Sequence, residues 1–379
     1  NNTIMKFTCT QQNFLQGLNI AEKIIGKNFA LPILQNILIT CKQNKGYIKL
    51  SSTDLEMGVE VIIPARIEEE GGVTVPAKLI SSFVRSLPDE KINFSEKNKK
   101  VLIQCRNYKS NIKGQDAREF PIIPRNQDTD TFSMNSRDFI SGMAPVIGSA
   151  SLLDIKPEIS GVFVQFREDD VCFVATDSFR LAEKRIKNNG KSTYLKKIII
   201  PKRACDVLMR VFQDTNDTIN IQASNNQITI KNSPEGGLSP KIKFVSKIID
   251  GEYPNYEQII PTSFKILVKV PKEELIRHIK TAGIFSNKIH EVSLRVNAKD
   301  QVLEISSQDA EYGDHYSTIP CEIQGDDEKT ILNFQYLLDG IHNLSSDDIL
   351  LKMNKSVMPI LISSSKNDGF KYIVMPIKI

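Results

Sequence analysis

The sequence has no apolar run approaching the ~20 residues of a membrane-spanning helix, and no signal-peptide pattern precedes Met5. A cytoplasmic location is therefore expected. The six cysteines (Cys9, Cys41, Cys105, Cys172, Cys205 and Cys321) include no C-x-x-C pair, and four lie in strand-like apolar contexts. They read as reduced core residues, not as a disulfide framework. The four histidines (His278, His290, His315 and His342) lack metal-ligand spacing, so no metal or other cofactor is expected. Catalytic motifs are missing as well. There is no G-x-S-x-G, no Gly-rich phosphate loop, no H-E-x-x-H and no histidine near a candidate nucleophile. Charge of one sign is scarce, because 49 Lys and Arg against 45 Asp and Glu leave a net +4. A surface for a polyanion must then be local.

What the chain does have is repetition. Val171–Ala182 reads as a buried strand, a polar turn Thr176-Asp177-Ser178, and a second strand in which Phe179 and Leu181 alternate with Arg180. The signature recurs upstream at Leu50–Met57, around Asp54, and more weakly downstream at Leu303–Ala310, around Asp309. The three aspartates are spaced by 123 and 132 positions. Each most simply anchors its own turn through side-chain to backbone hydrogen bonds.

Helix patterns keep the same period. A first helix is predicted over Gln11–Ile25, capped by Thr10, stopped by Gly26, and inward-facing at Phe14, Leu18, Ala21 and Ile25. Its analogues start near Ser136 (Phe139, Ile140, Met143, Ile147) and near Lys272 (Leu275, Ile276, Ile279, Ala282). A second helix follows a strand each time. Ala77–Leu87 has Leu79, Phe83 and Leu87 inward; Lys202–Phe212 has Ala204, Leu208, Val211 and Phe212 inward; Phe334–His342 has Phe334, Leu337, Leu338 and Ile341 inward. The length of 379 residues suits two or three domains. The fold class read from this is α+β, with three tandem similar domains, each of two helices packed on antiparallel sheet. Boundaries are expected near Asp130 and Thr262, giving domains 1–130, 131–262 and 263–379.

Opposite the apolar faces the helices carry Lys23, Lys27, Lys78 and Arg85, then Arg137, Lys202, Arg203 and Arg210, then Lys272, Arg277 and Lys280, with Lys288 just beyond. Acidic residues collect instead in loops and strands. On one helix this is an ordinary solvated face. Repeated across units, it suggests a surface that holds phosphates without reading bases. The last helix carries almost no positive charge.

At this point the chain resembles the bacterial sliding-clamp family, the β subunit of replicative DNA polymerase. The matching stretches run in order: Met5–Thr8, Leu31–Leu38, Thr53–Glu56, Val75–Lys78, Val174–Ala182, Ile200–Lys202, Asp250–Pro254 and Val374–Ile379. The resemblance implies a non-enzymatic processivity factor, a head-to-tail homodimer forming a ring around duplex DNA. It implies partners as well: the polymerase, the clamp loader and repair proteins, each docking a short hydrophobic peptide. The positions it carries to DNA are Lys27, Asn28, Lys78, Lys202, Arg203 and Arg210, while Arg277, Lys280 and Lys288 rest mainly on the helical-face argument. It implies a peptide cleft of Ile159, Thr176, Ser178, Phe179, Arg180, Leu181, Pro254, Ile259, Pro359, Ile373, Val374, Met375, Pro376 and Ile377. It implies a subunit contact between Tyr108 and Ile112 on one copy and Ile284 and Phe285 on the other. Leu153 departs from the family at a position usually polar, and Gln258 at one frequently basic. The rival classes are a scaffold without DNA, disfavoured by the basic faces, and an enzyme with a site between domains, disfavoured by the missing motifs.

Overall fold

The computed structural model describes residues 5–26, 31–43, 45–124, 130–153, 155–188, 190–234, 241–366 and 368–378. Six α-helices lie among them: α1 Gln11–Glu22, α2 Ala77–Ser86, α3 Ser136–Met143, α4 Lys202–Phe212, α5 Lys272–Ile284 and α6 Phe334–His342. All the sheets are antiparallel, and the helices come in pairs, two for each sequence repeat.

The chain divides into two compact units that cut across these repeats, one of residues 1–140 with 203–248 and one of 141–202 with 249–379. The division follows the strand pairing. In the first unit a nine-stranded sheet runs from repeat one into repeat two, because Met57–Pro64 pairs with Lys241–Lys247. In the second, another nine-stranded sheet joins repeat two to repeat three, because Arg180–Lys187 pairs with Phe370–Val374. Each unit also holds a smaller sheet, of five strands in the first and four in the second. Backbone ladders cross the repeat boundaries, so a sequence repeat is not a separate packing unit.

The core of the first unit is aromatic. Phe7 stacks on Phe94 with centroids 4.5 Å apart, and Phe14 of α1 meets Phe7 edge-on at 6.0 Å. The expected cap on α1 is present, since Thr10 Oγ1 accepts the amide of Asn13.

Three expectations about helices need correction. First, α1 ends at Glu22, where the Lys23 amide reaches back to the Ile20 carbonyl and tightens the last turn, so Ile24 is buried and Ile25 only half-buried. Second, α2 packs through Ala77, Ile80, Ser81 and Val84, leaving Leu79 exposed and Phe83 half-buried. Pro76 ends the preceding strand and starts this helix, which packs chiefly against α1. Third, α3 stops at Met143, two residues before Pro145, whose ring disfavours helical backbone at Ala144 and leaves no amide to donate. Ile147 falls instead in a short 3₁₀ turn, Ile147–Ser149.

Candidate functional site

The three aspartate turns share one chemistry. Asp54 Oδ1 accepts the amides of Glu56 and Met57 at 3.0 and 2.8 Å, and Asp177 Oδ1 accepts those of Phe179 and Arg180, both at 3.0 Å. The preceding threonines match. Thr53 donates to the Met57 carbonyl and Thr176 to the Arg180 carbonyl. The residue after each aspartate, Leu55 or Ser178, has φ +78°, a left-handed conformation that these bonds hold in place. Asp309 repeats the motif with the amides of Glu311 and Tyr312. A serine two positions before the outer two aspartates adds a bond to the first helix of its own repeat: Ser52 donates to Ala21 and Ser307 to Ala282.

The residues expected to form a peptide cleft all fall in the second unit. Leu181 stands opposite Ile373 on paired strands, and both join a buried apolar cluster with Ile159, Val174, Tyr253 and Tyr256. Thr176 and Val374 are buried as well. Ser178, Phe179, Pro254 and Ile259 are exposed, Phe179 at 61% and Ile259 at 45%. Pro359, Met375, Pro376 and Ile377 are half-buried. The strand's continuation is tied down by its backbone, with the Met375 amide bonded to the Phe179 carbonyl and that of Ile377 to Ile331. Apolar side chains thus stay partly open to solvent beside a fixed apolar floor, an arrangement able to take hydrophobic peptide anchors.

Arg180 differs from the rest of the set. It donates to Asp177 Oδ2 at 2.9 Å, to the Gly148 carbonyl at 2.9 Å and to Asp339, and lies 4.4 Å over the Tyr336 ring. Its guanidinium is occupied by the protein itself. Sequence reasoning missed the polar support around this apolar cluster. Tyr253 and Tyr256 pack around Phe163, and the Tyr256 hydroxyl donates to the fully buried Glu183. The Asp250–Tyr256 stretch carried a signal in its closely spaced aromatics and proline; Glu183, in an otherwise ordinary strand, carried none. Cys172 lies in the same cluster, where burial above all, and then the charge of Glu183, push its thiol up to about 11.

The cationic candidates separate by what they touch. Lys27 and Asn28 lie outside the described residues. Lys202 donates to the Ala150 carbonyl at 3.2 Å, Arg203 pairs with Asp54 at 2.7 Å, and Arg210 bonds its own helix at the Asp206 carbonyl. Lys23 bonds the Arg210 carbonyl, and Lys272 that of Leu344 at 2.6 Å. Lys78, Arg277, Lys280 and Lys288 are exposed, and their side chains have no partner among the described residues.

Comparison with known proteins covers nearly the whole chain. Models of the DNA polymerase III beta subunit match at residues 5–124 for its N-terminal domain, 134–255 for its central domain and 257–378 for its C-terminal domain. The chain belongs to the DNA polymerase III beta subunit family. It is 24% identical to the beta sliding clamp of Synechocystis sp., over 99% of this chain and all of that one, and 23% identical to that of Staphylococcus aureus with the same coverage. The fold matches a solved DNA polymerase III beta subunit from Pseudomonas aeruginosa with a TM-score of 0.92 at 22% identity, and one from Thermotoga maritima with 0.89 at 25%. These cover 99% of this chain and all of each of those. Like the rest of the beta subunit family, the chain is a DNA sliding clamp, a non-catalytic processivity factor.

For a beta subunit, the positions expected at the subunit contact are of two kinds. Tyr108 opens the Tyr108–Lys113 strand, which ends the five-stranded sheet, and is exposed at 52%. Ile284 closes α5 and is exposed at 71%. Ile112 is buried in its own subunit, and Phe285 is half-buried and stacked on His315. Leu153 is exposed with Leu152 and Ile155 on a short loop, and Gln258 is exposed beside Ile259. Among the described residues no helix is long and apolar enough to cross a membrane.

Proposed function

We propose that two copies of the chain close head to tail into a ring around duplex DNA, in the cytoplasm. In this reading each chain contributes three domains, with boundaries near Asp130 and Thr262. Lys78, Lys202, Arg203, Arg210, Arg277, Lys280 and Lys288, together with Lys27 and Asn28, face the phosphates. The carrying observation is that exposed, unpartnered cations stand on the polar faces of α2 and α5 in a protein whose net charge is only +4. Such cations attract phosphates diffusely, with a screening length of about 10 Å at cellular salt, and so hold DNA without stopping sliding.

The partner-peptide cleft comprises Ile159, Thr176, Ser178, Phe179, Leu181, Pro254, Ile259, Pro359 and Ile373–Ile377, with Arg180 bracing its edge. It takes the short hydrophobic peptides of the polymerase, clamp loader and repair proteins. The subunit contact uses Tyr108 and Ile284 at its surface, together with the less exposed Ile112 and Phe285. Light scattering combined with retention on nicked circular DNA tests the reading. A dimer that stays on circles and is lost when they are linearised is expected. A monomer, or a protein that leaves circles and linear DNA equally fast, would overturn it.

A further inference from the structure

The cleft candidates Pro254 and Ile259 stand on a stretch outside every sheet. Among the described residues, 249–265 form no strand and only one short 3₁₀ turn, Tyr256–Ile259. Backbone bonds pin its ends, the Ile249 amide to the Ile199 carbonyl and the Lys265 amide to that of Met353. Between these ends, side chains dock it on the sheet. Tyr253 stacks on Phe163 with centroids 4.7 Å apart, and Tyr253 and Tyr256 share a buried apolar cluster with the cleft candidates Ile159, Leu181 and Ile373. Apolar contacts of this kind are non-directional. Two polar contacts add direction: the Tyr256 hydroxyl donates to Glu183 Oε2 at 3.0 Å, and Arg167 donates to Glu257 Oε1 at 3.0 Å. The Glu257 side chain is 59% exposed, so solvent weakens the second contact. Glu183 is fully buried.

Glu183 lies two residues after Leu181, on the same face of the Arg180–Lys187 strand. An apolar side chain would fill such a place without the cost of desolvating a charge. Arg185 at 3.0 Å and Lys371 at 3.5 Å keep the carboxylate ionised there. What the carboxylate adds is a strong, directional acceptor for one hydroxyl. Cys172 Sγ, 3.5 Å from the same hydroxyl, is the weaker partner. We infer that Glu183 is a positioning residue for partner binding, fixing through Tyr256 the backbone that presents Pro254 and Ile259 to a hydrophobic peptide. The inference rests on the cleft reading and deepens it. Peptide affinity then depends on a buried side chain that the peptide never touches.

Fluorescence anisotropy of the full chain with a fluorescein-labelled octapeptide carrying a Leu-Phe pair tests it, in the wild type and in Y256F, E183Q, E183L and E183L/Y256F. Circular dichroism first fixes a temperature at which the variants are folded. Y256F and E183L are each expected to weaken binding about fivefold, since each removes one end of a charge-assisted hydrogen bond. The double variant should lose no more than either single one, because all three cut the same bond. E183Q keeps an acceptor and should bind more tightly than E183L. A merely structural bond would lower the unfolding midpoint and leave affinity untouched. Wild-type affinity in folded Y256F, or a double variant whose loss multiplies the two single ones, overturns the positioning role. Y256F deletes a single oxygen, so it carries the test even if E183L does not fold. If the wild type itself does not bind the peptide, the cleft reading fails first. Amide hydrogen exchange at Ile260, whose amide bonds the Glu257 carbonyl, then decides whether Glu183 fixes the stretch: faster exchange in Y256F is expected, and unchanged exchange overturns it.

Discussion

Asp54 does two jobs with its two oxygens. One satisfies two turn amides that a left-handed Leu55 leaves pointing inward, and the other meets Arg203 from the next repeat. The carboxylate is almost fully buried, whereas the Arg203 side chain is 59% exposed, so the ion pair contributes little beside the amide bonds. Asp54→Ala is therefore expected to lower the unfolding free energy by about 2 kcal/mol, since it strands two amides. Asp54→Asn keeps the acceptor and should cost about 1 kcal/mol or less. Urea unfolding of the two variants decides the matter, and equal losses would show that the ion pair, not the turn, is the larger contribution. The aspartates themselves were legible in the sequence, because an Asx turn needs only residues two and three positions away. The second oxygen of Asp54 was not, because Arg203 is remote in the chain.

At the scale of elements, helix positions came out well and helix faces less so. Strand-to-helix punctuation by Pro76 and Pro201 and the run of apolar residues in α4 and α5 were sufficient, and every inward residue named there is buried. In α2 two apolar stripes compete, Leu79 with Phe83 and Ile80 with Val84. Packing, chiefly against α1, selects the second. Ile80→Ala is expected to cost about 2–5 kcal/mol through an unfilled cavity, while Leu79→Ala should change stability by no more than about 0.5 kcal/mol. Thermal or denaturant unfolding of the pair tests this, and the reverse order would restore the face predicted from sequence. The ending of α3 was legible in principle, as Pro145 lies inside the predicted helix. The apolar spacing through Ile147 hid it.

At the scale of the molecule, the sheets do not respect the repeats. Repeats two and three share the second unit's long sheet at the strand pair Arg180–Lys187 and Phe370–Val374, and Glu183 sits there opposite Lys371 with its side chain fully buried. Burial alone would raise its pKa. Arg185, at 3.0 Å, together with Lys371 and the Tyr256 hydroxyl, outweighs burial and holds the carboxyl below the ordinary 4.5. A carboxyl depressed on folding stabilises the native state above its unfolded value, and that contribution is lost as pH falls through the folded one. Stability is thus expected to decline below about pH 4.5, and Glu183→Gln should flatten that part of the profile. Unfolding midpoints of the two proteins from pH 7 to 3 check it, and parallel profiles would remove Glu183 from the account.

By itself the sequence determined the three repeats, their turns and helices, and the family, because these depend on spacing and on side chains a few residues apart. Only the tertiary structure decided which cations are free. Lys202, Arg203 and Arg180 look like Lys78 and Arg277 in sequence, yet each is bound by groups from distant parts of the chain. The tertiary structure also decided where the compact units divide, since hydrogen-bond ladders form between whichever strand edges folding brings together.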